Sequence, residues 1–240
     1  MLAGGGEASR FALNGGQDLT KGAYSKADAV YGELKEAILS GALVPGSLID
    51  KTGLCEKLQV SRFPVSAAVS RLAYDRLVDV APQHGSFVAQ ISLNDARERL
   101  FIRSALEGEI AAEAARRMTR ADKDALAANL RLEVAAVANK DQVTFYALDV
   151  AFHQILTTGL GMARTSDVLE SQRIHLERTR RLTMSTPGQL RASLDEHGAI
   201  ASAIEAEDPD TACDAMKQHL RITATRLEDL AKRQPELFSP

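Results

Sequence analysis

Apolar residues recur at helical intervals in three short segments near the start of the chain. The first segment follows a capping residue at Ser25 and ends near Gly41, the second follows Asp50, and the third begins at Ser61 and reaches about Leu77. The run Leu-Val-Pro-Gly at 43–46 predicts a turn between the first two segments. The pattern therefore predicts three short helices.

Residues 78–89 change to a pattern that is typical of strands. Two β-prone stretches, 78–81 and 86–89, are separated by Pro-Gln-His-Gly at 82–85, a run of turn-forming residues. We therefore expect a β-hairpin at this place. Three short helices followed by a hairpin indicate a helix-turn-helix with a wing.

From about residue 92 the strand pattern gives way to long amphipathic segments, for which we expect six helices. Helix starts are predicted at Asn94, Thr119, Asp141 and Asp208, with breaks near 159–161 and 185–188. The chain is therefore expected to be mainly α. We predict a glycine-rich flexible tail at 1–24, a winged helix-turn-helix DNA-binding domain with a small β-hairpin wing at 25–91, and an all-α helical bundle at 92–234.

Composition and charge narrow the class of protein. Hydrophobic residues make up 45% of the chain and charged residues 25%, as in ordinary globular proteins. No apolar run approaches the roughly 20 residues that cross a bilayer, and the two cysteines, Cys55 and Cys213, match no metal spacing. We therefore expect a cytoplasmic protein without a membrane partner.

The charge of the first predicted domain is balanced. Between residues 26 and 90 seven cationic side chains are matched by seven anionic ones, so strong nonspecific affinity for DNA is not expected.

The third predicted helix carries the candidate DNA-reading residues. In a helix-turn-helix this second helix of the motif lies in the major groove, where its outer face reaches base edges. The outward candidates are Arg62, Ser66, Ser70 and Arg71. Arg62 is best placed to donate two hydrogen bonds to guanine. The alternative is that these residues are ordinary solvated positions of a helix.

Four residues of the predicted bundle form a candidate metal site. Asp149 and His153 are spaced i, i+4 and project from one helix face, while His197 and His219 fall on the last two helices. Imidazole nitrogens with one carboxylate suit a divalent metal ion such as Zn²⁺, Ni²⁺, Mn²⁺ or Fe²⁺. The alternative is that the histidines are hydrogen-bonded core or boundary residues.

Three blocks of the first domain resemble the GntR family of transcription regulators. They are Gly-Ala-Leu-Val-Pro-Gly-Ser-Leu at 41–48, Val-Ser-Arg-Phe-Pro-Val at 60–65 and Gln-His-Gly-Ser-Phe-Val at 83–88. The resemblance covers residues 26–90. It implies that Arg62 contacts the operator and that the wing tip at His84 and Gly85 enters the minor groove. Two positions depart from the family pattern, since Ser66 stands where an arginine is usual and Thr52 where a basic or polar residue often helps.

The second domain resembles the FCD domain, the C-terminal ligand-binding domain of the FadR subfamily within GntR. The matching stretches lie at 149–153, 196–204 and 216–220. In metal-containing members an aspartate and three histidines hold a divalent metal, a role that the resemblance gives to Asp149, His153, His197 and His219. Arg103 stands where the subfamily often has an arginine that faces the effector pocket. The alternative for Arg103 is an i, i+4 ion pair with Glu107.

Together these patterns predict a homodimeric transcription regulator that binds double-stranded operator DNA and responds to a small organic acid. A metal-dependent enzyme on a helical bundle is the main alternative, because histidines with a carboxylate also occur in hydrolases. No His-Glu-x-x-His pattern supplies a general base, so we expect no enzyme. A purely structural helical adaptor is the other alternative. Neither alternative needs a winged N-terminal module.

Overall fold

The protein is described by a computed structural model that covers residues 25–184 and 188–239, and these fall into two compact units. The first unit ends at Gln90 and the second starts at Ile91. The predicted tail at 1–24 lies outside the described residues.

The first unit contains three helices and a hairpin, as the spacing predicted. The helices are α1 (Lys26–Leu39), α2 (Lys51–Leu58) and α3 (Arg62–Tyr74). Strands β1 (Val78–Ala81) and β2 (Gly85–Val88) pair antiparallel, with Val78 opposite Val88. Ser25 caps α1 in a reciprocal capping box with Asp28, and the Asp50 side chain caps α2, so these helix starts follow from local chemistry.

Two boundaries in the first unit differ from the sequence-based prediction. Helix α3 ends at Tyr74 rather than Leu77, because Arg76 takes a left-handed conformation (φ 56°) and Leu77 joins the core. Strand β2 is shifted by one residue from the predicted 86–89: it begins at Gly85, where φ is 122°, and ends at Val88. This φ is strained for any residue with a side chain, so the wing tip favours glycine, and a Cβ there would also lie 2.8 Å from Leu48 Cδ1. The core joins α1, α3 and the hairpin through residues that include Val30, Leu34, Val65, Leu72 and Val88.

The second unit is a helical bundle whose described residues form the six predicted helices. They are α4 (Leu93–Arg117), α5 (Arg120–Ala138), α6 (Gln142–Gly159), α7 (Ala163–Met184), α8 (Gln189–Glu205) and α9 (Pro209–Arg233). Thr119, Asp141 and Asp208 cap their helices as predicted, whereas α4 is capped by Ser92 instead of Asn94. All six helices contribute to the largest apolar core, which includes Phe152, Ile200 and Met216. The prediction of a mainly α chain with a wing and a bundle is confirmed.

Within the described ranges, no helix is both long and apolar enough to cross a membrane.

Candidate functional site

The structure brings the four predicted metal ligands together inside the second unit. Asp149 and His153 lie one turn apart on α6, while His197 comes from α8 and His219 from α9. Each offers one ligand atom, and these atoms lie within 4.8 Å of one another. All four side chains are buried, and the ring of Phe152 stacks on His197 with the centroids 4.2 Å apart. The arrangement is a compact, buried cluster of three imidazoles and one carboxylate.

Each of the three histidines has a glutamate at its Nδ1 atom. His197 Nδ1 lies 3.0 and 3.1 Å from the two carboxylate oxygens of Glu133, on α5. His219 Nδ1 lies 2.7 Å from Glu196 Oε2, and His153 Nδ1 lies 2.5 Å from Glu107 Oε2. The contact of His153 with Glu107 is close but lacks hydrogen-bond geometry. For His197 and His219 the contacts are hydrogen bonds, and a carboxylate in that place favours the tautomer that carries its proton on Nδ1. The opposite nitrogen, Nε2, is then left as an electron-pair donor.

The Nε2 atoms of the three histidines have no hydrogen-bond partner among the described residues, although all are buried. His197 Nε2 lies 3.5 Å from Asp149 Oδ1. Burial lowers the pKa of His153 and of His219, which keeps their rings in the neutral form that binds metals. Buried nitrogens without partners are costly, so this cluster has the chemistry of a cation site.

Two buried arginines border the same cluster. Arg180 donates to Asp149 Oδ1. Burial is the largest influence on the pKa of Asp149 and raises it, but the positive charges around the carboxylate, Arg180 first among them, together lower the pKa overall. The Nε and Nη1 atoms of Arg180 have no hydrogen-bond partner within the described residues. Arg180 also lines two small cavities together with Thr183 and Thr223. The arginine thus offers donors beside the ligand cluster.

For Arg103, the structure combines the two alternatives that the sequence left open. Its Nε donates to Glu107 Oε1 at 2.5 Å, the i, i+4 pair, and the side chain is 2% exposed. The same arginine lines a cleft with about 310 Å³ of space, part of it open to solvent, together with His153 and Arg173. Its Nη1 atom lacks a hydrogen-bond partner among the described residues. Arg103 is therefore both paired and pocket-facing.

Sequence reasoning missed two glutamates of this site. Glu133 reaches it from α5 through tertiary packing, and no local spacing links it to the histidines. Glu196 stands directly before His197 in the chain, which placed it near the predicted site. Its contact is with His219, however, and the sequence did not indicate that pairing.

The predicted DNA-reading residues lie at two places on the first unit. Arg62, Ser66 and Ser70 are exposed on α3, and His84 and Gly85 are exposed at the wing tip. The hydroxyls and the guanidinium are therefore accessible to a duplex. These five of the six predicted residues therefore lie on open surface.

The sixth, Arg71, is engaged with α1. It forms an ion pair with Asp28, and its guanidinium lies 4.2 Å from the centroid of the Tyr31 ring. The Tyr31 hydroxyl donates to Asp75 at 2.5 Å; burial and this hydrogen bond raise the pKa of Tyr31 to about 12. Arg71 thus has intramolecular partners that the outward spacing alone did not predict.

Comparison with known proteins matches both units. The family model of "Bacterial regulatory proteins, gntR family" matches residues 26–88, and the FCD domain matches residues 98–222. The HTH-type transcriptional repressor RspR of Escherichia coli K12 is 30% identical over 210 residues, covering 88% of this chain and 92% of the repressor. The galactonate operon transcriptional repressor of the same organism is 27% identical over 230 residues, covering 86% and 98%.

Solved structures show the same fold. Escherichia coli McbR/YncC has a TM-score of 0.68 at 22% identity, covering 86% of this chain and 99% of that one. A transcriptional regulator of Rhodococcus sp. RHA1 has a TM-score of 0.67 at 23% identity. The matched families are those of transcriptional regulators rather than enzymes, as the sequence predicted. The chain belongs to the GntR family, in its FadR-like subfamily with an FCD domain, and is a DNA-binding transcriptional regulator.

Proposed function

We propose that the second unit binds a divalent metal and a small organic acid, and that the acid changes the affinity of the first unit for operator DNA. The observation that carries the proposal is the group of three buried histidines whose Nε2 atoms have no hydrogen-bond partner in the described part of the chain; one ligand atom from each, together with one from Asp149, lie within 4.8 Å of one another. A core without a cation would leave each of these nitrogens unsatisfied.

The residues fit a divalent metal in number and in chemistry. Three imidazoles and one carboxylate, Asp149, His153, His197 and His219, suit Zn²⁺, Ni²⁺, Mn²⁺ or Fe²⁺. The glutamates behind the three rings match the outer carboxylates that orient metal-binding histidines. A bound metal would supply a buried positive charge that attracts an anion.

An anionic effector is supported by the two arginines at the cluster. Arg103 and Arg180 each present a buried guanidinium nitrogen without a hydrogen-bond partner in the described ranges. A guanidinium binds a carboxylate through paired hydrogen bonds. The cleft beside Arg103 is partly open to solvent, which gives a small anion access to the guanidinium. One relative is named for the galactonate operon, which favours sugar acids as the first compounds to test.

We further propose that the regulator acts as a homodimer on a palindromic site in the cytoplasm, with its two functional domains at 25–91 and 92–234. The first unit has no excess of cationic side chains between residues 26 and 90. One such module makes few phosphate contacts, whereas a dimer doubles them and reads two half-sites. In this arrangement Arg62, Ser66 and Ser70 face the major groove, and His84 and Gly85 approach the minor groove.

The metal proposal is tested by elemental analysis of the purified protein. We expect about one divalent ion per chain in the wild type and none in His197→Ala. His84→Ala is the matched control, because His84 is an exposed histidine of the wing. Its metal content should equal that of the wild type. A wild-type protein without stoichiometric metal after growth and purification with added metal would refute the proposal.

The effector proposal is tested on a DNA site selected in vitro from random duplexes by the wild-type protein. Candidate acids, beginning with galactonate, are titrated against binding to this site. Allosteric couplings are typically about 1 to 3 kcal/mol, so the expected change in DNA affinity is about 5- to 150-fold. Arg103→Gln should weaken the response to acid while leaving DNA affinity without acid unchanged. An acid that acts equally on both proteins would remove Arg103 from the effector site.

A further inference from the structure

Phe63 is an exposed aromatic residue at the start of the helix that reads DNA. It is the second residue of α3 (Arg62–Tyr74), and 80% of its surface is exposed. The two residues that follow it, Pro64 and Val65, are buried, as are Ala68 and Leu72. Phe63 is therefore turned away from the apolar core, although its ring is one of the largest apolar groups of the first unit.

The neighbours of Phe63 show which surface it belongs to. Ser66 and Ser70 follow it at i+3 and i+7, spacings that place the three residues on one face of a helix. Both serines are exposed. Arg62 precedes Phe63 directly and is also exposed. Phe63 thus lies at the N-terminal end of the outward face, the part of a recognition helix that reaches base edges.

The small serines allow close approach along this face. Their side chains are short, whereas the Phe63 ring projects well beyond them. A phenyl ring has no donor or acceptor, so it cannot read the hydrogen-bonding pattern of a base edge. In the major groove the only apolar group that a base presents is the C5 methyl of thymine, and phenylalanine is among the residues that contact it.

We propose that Phe63 packs against the C5 methyl of a thymine in each operator half-site and thereby sets the base preference at that position. The proposal rests on the DNA-binding function that the family match shows. It also accounts for the exposed ring, because contact with the thymine methyl would bury it. The contact would add apolar readout to a helix whose other outward residues read by hydrogen bonds.

Replacing thymine by uracil tests this proposal, because the exchange removes the methyl group and leaves the base pairing intact. Each thymine of the in vitro selected site is replaced in turn, and affinity is measured by fluorescence anisotropy. Burial of one methyl corresponds to about 0.8 kcal/mol, so uracil at the contacted position should weaken wild-type binding about fourfold per half-site.

The matching protein variant is Phe63→Ala, in which the same uracil substitution should have no effect. Phe63→Leu should retain part of the preference for thymine. Tyr74→Ala is the control, since Tyr74 is 89% exposed at the opposite end of α3 and should leave the uracil effect intact. Far-UV circular dichroism checks that the variants keep their fold.

Three outcomes would overturn the proposal. The first is a wild-type affinity that is indifferent to uracil at every position. The second is a uracil effect that persists undiminished in Phe63→Ala. The third is a change in oligomeric state in Phe63→Ala with an unchanged uracil effect, which would assign the ring to a protein interface. All three can be told apart from a loss of DNA binding as such, because each requires measurable affinity for the selected site.

Discussion

Replacing Glu133 by glutamine tests whether the histidine cluster is a metal site or an ordinary buried cluster. Glu133 is fully buried, and its carboxylate oxygens lie 3.0 and 3.1 Å from His197 Nδ1. Glutamine keeps the shape and an acceptor oxygen but removes the charge. Loss of such an outer partner typically lowers metal affinity about 10- to 100-fold. This factor corresponds to about 1.4 to 2.7 kcal/mol of binding free energy.

The effect on stability follows from mass action. Free metal at 100 times the wild-type Kd stabilises the fold by about 2.7 kcal/mol. At the same concentration the variant would gain only about 1.4 to 0.4 kcal/mol. The difference lowers the melting temperature of the metal-loaded variant by roughly 3 to 9 °C relative to the wild type. Without metal the variant should be at least as stable as the wild type, because a fully buried carboxylate is costly to desolvate.

Thermal melts in metal-buffered solution and in chelator measure both effects, and competition with a metal indicator gives the affinity. Glu205→Gln is the matched control, since Glu205 is an exposed glutamate that pairs with Arg120 on the surface. It should leave metal affinity unchanged. If Glu133→Gln bound metal as tightly as the wild type, the outer-carboxylate reasoning would be wrong. An equal loss of melting temperature with and without metal would assign Glu133 to packing alone.

Three further predictions concern the first unit. Arg62→Ala should weaken binding to the selected DNA site by about 1 to 3 kcal/mol and relax base preference there, whereas exposed Arg131→Ala of the second unit should not. Gly85→Ala should lower the free energy of unfolding by about 1 to 3 kcal/mol, because φ is 122° and the new Cβ would meet Leu48. Gly32→Ala should raise it by about 0.5 to 1 kcal/mol, since this position inside α1 is open. Anisotropy and thermal unfolding check these values; a glycine pair that melted identically would contradict the backbone argument.

The parts of the fold that depend on neighbours in sequence were predictable. Ser25, Asp50, Thr119 and Asp208 are polar caps directly before apolar periodicity, and each caps its helix in the structure. The end of α3 was not predictable in this way. The position where α3 ends depends on Leu77, because burial of this side chain in the core competes with continuation of the helix.

In the site, too, contacts between near neighbours in sequence were predictable, whereas contacts made by tertiary packing were not. The i, i+4 pair of Asp149 and His153 could be read directly from spacing. Glu133 could not, because 64 residues separate it from His197 and only packing of α5 against α8 joins them. Arg71 is exposed, as its spacing predicted, but the spacing gave no sign of the ion pair with Asp28 on α1.

Glu107 connects the two parts of the proposed sensor. One oxygen accepts from Arg103 at 2.5 Å, and the other lies 2.5 Å from His153 Nδ1. A carboxylate effector that bound Arg103 would compete with Glu107 for the guanidinium, and the freed negative charge would act more strongly on the His153 ring. An imidazole beside a stronger acceptor is a better metal ligand. Acid and metal would then strengthen each other's binding, and linkage requires that the two effects be equal in free energy.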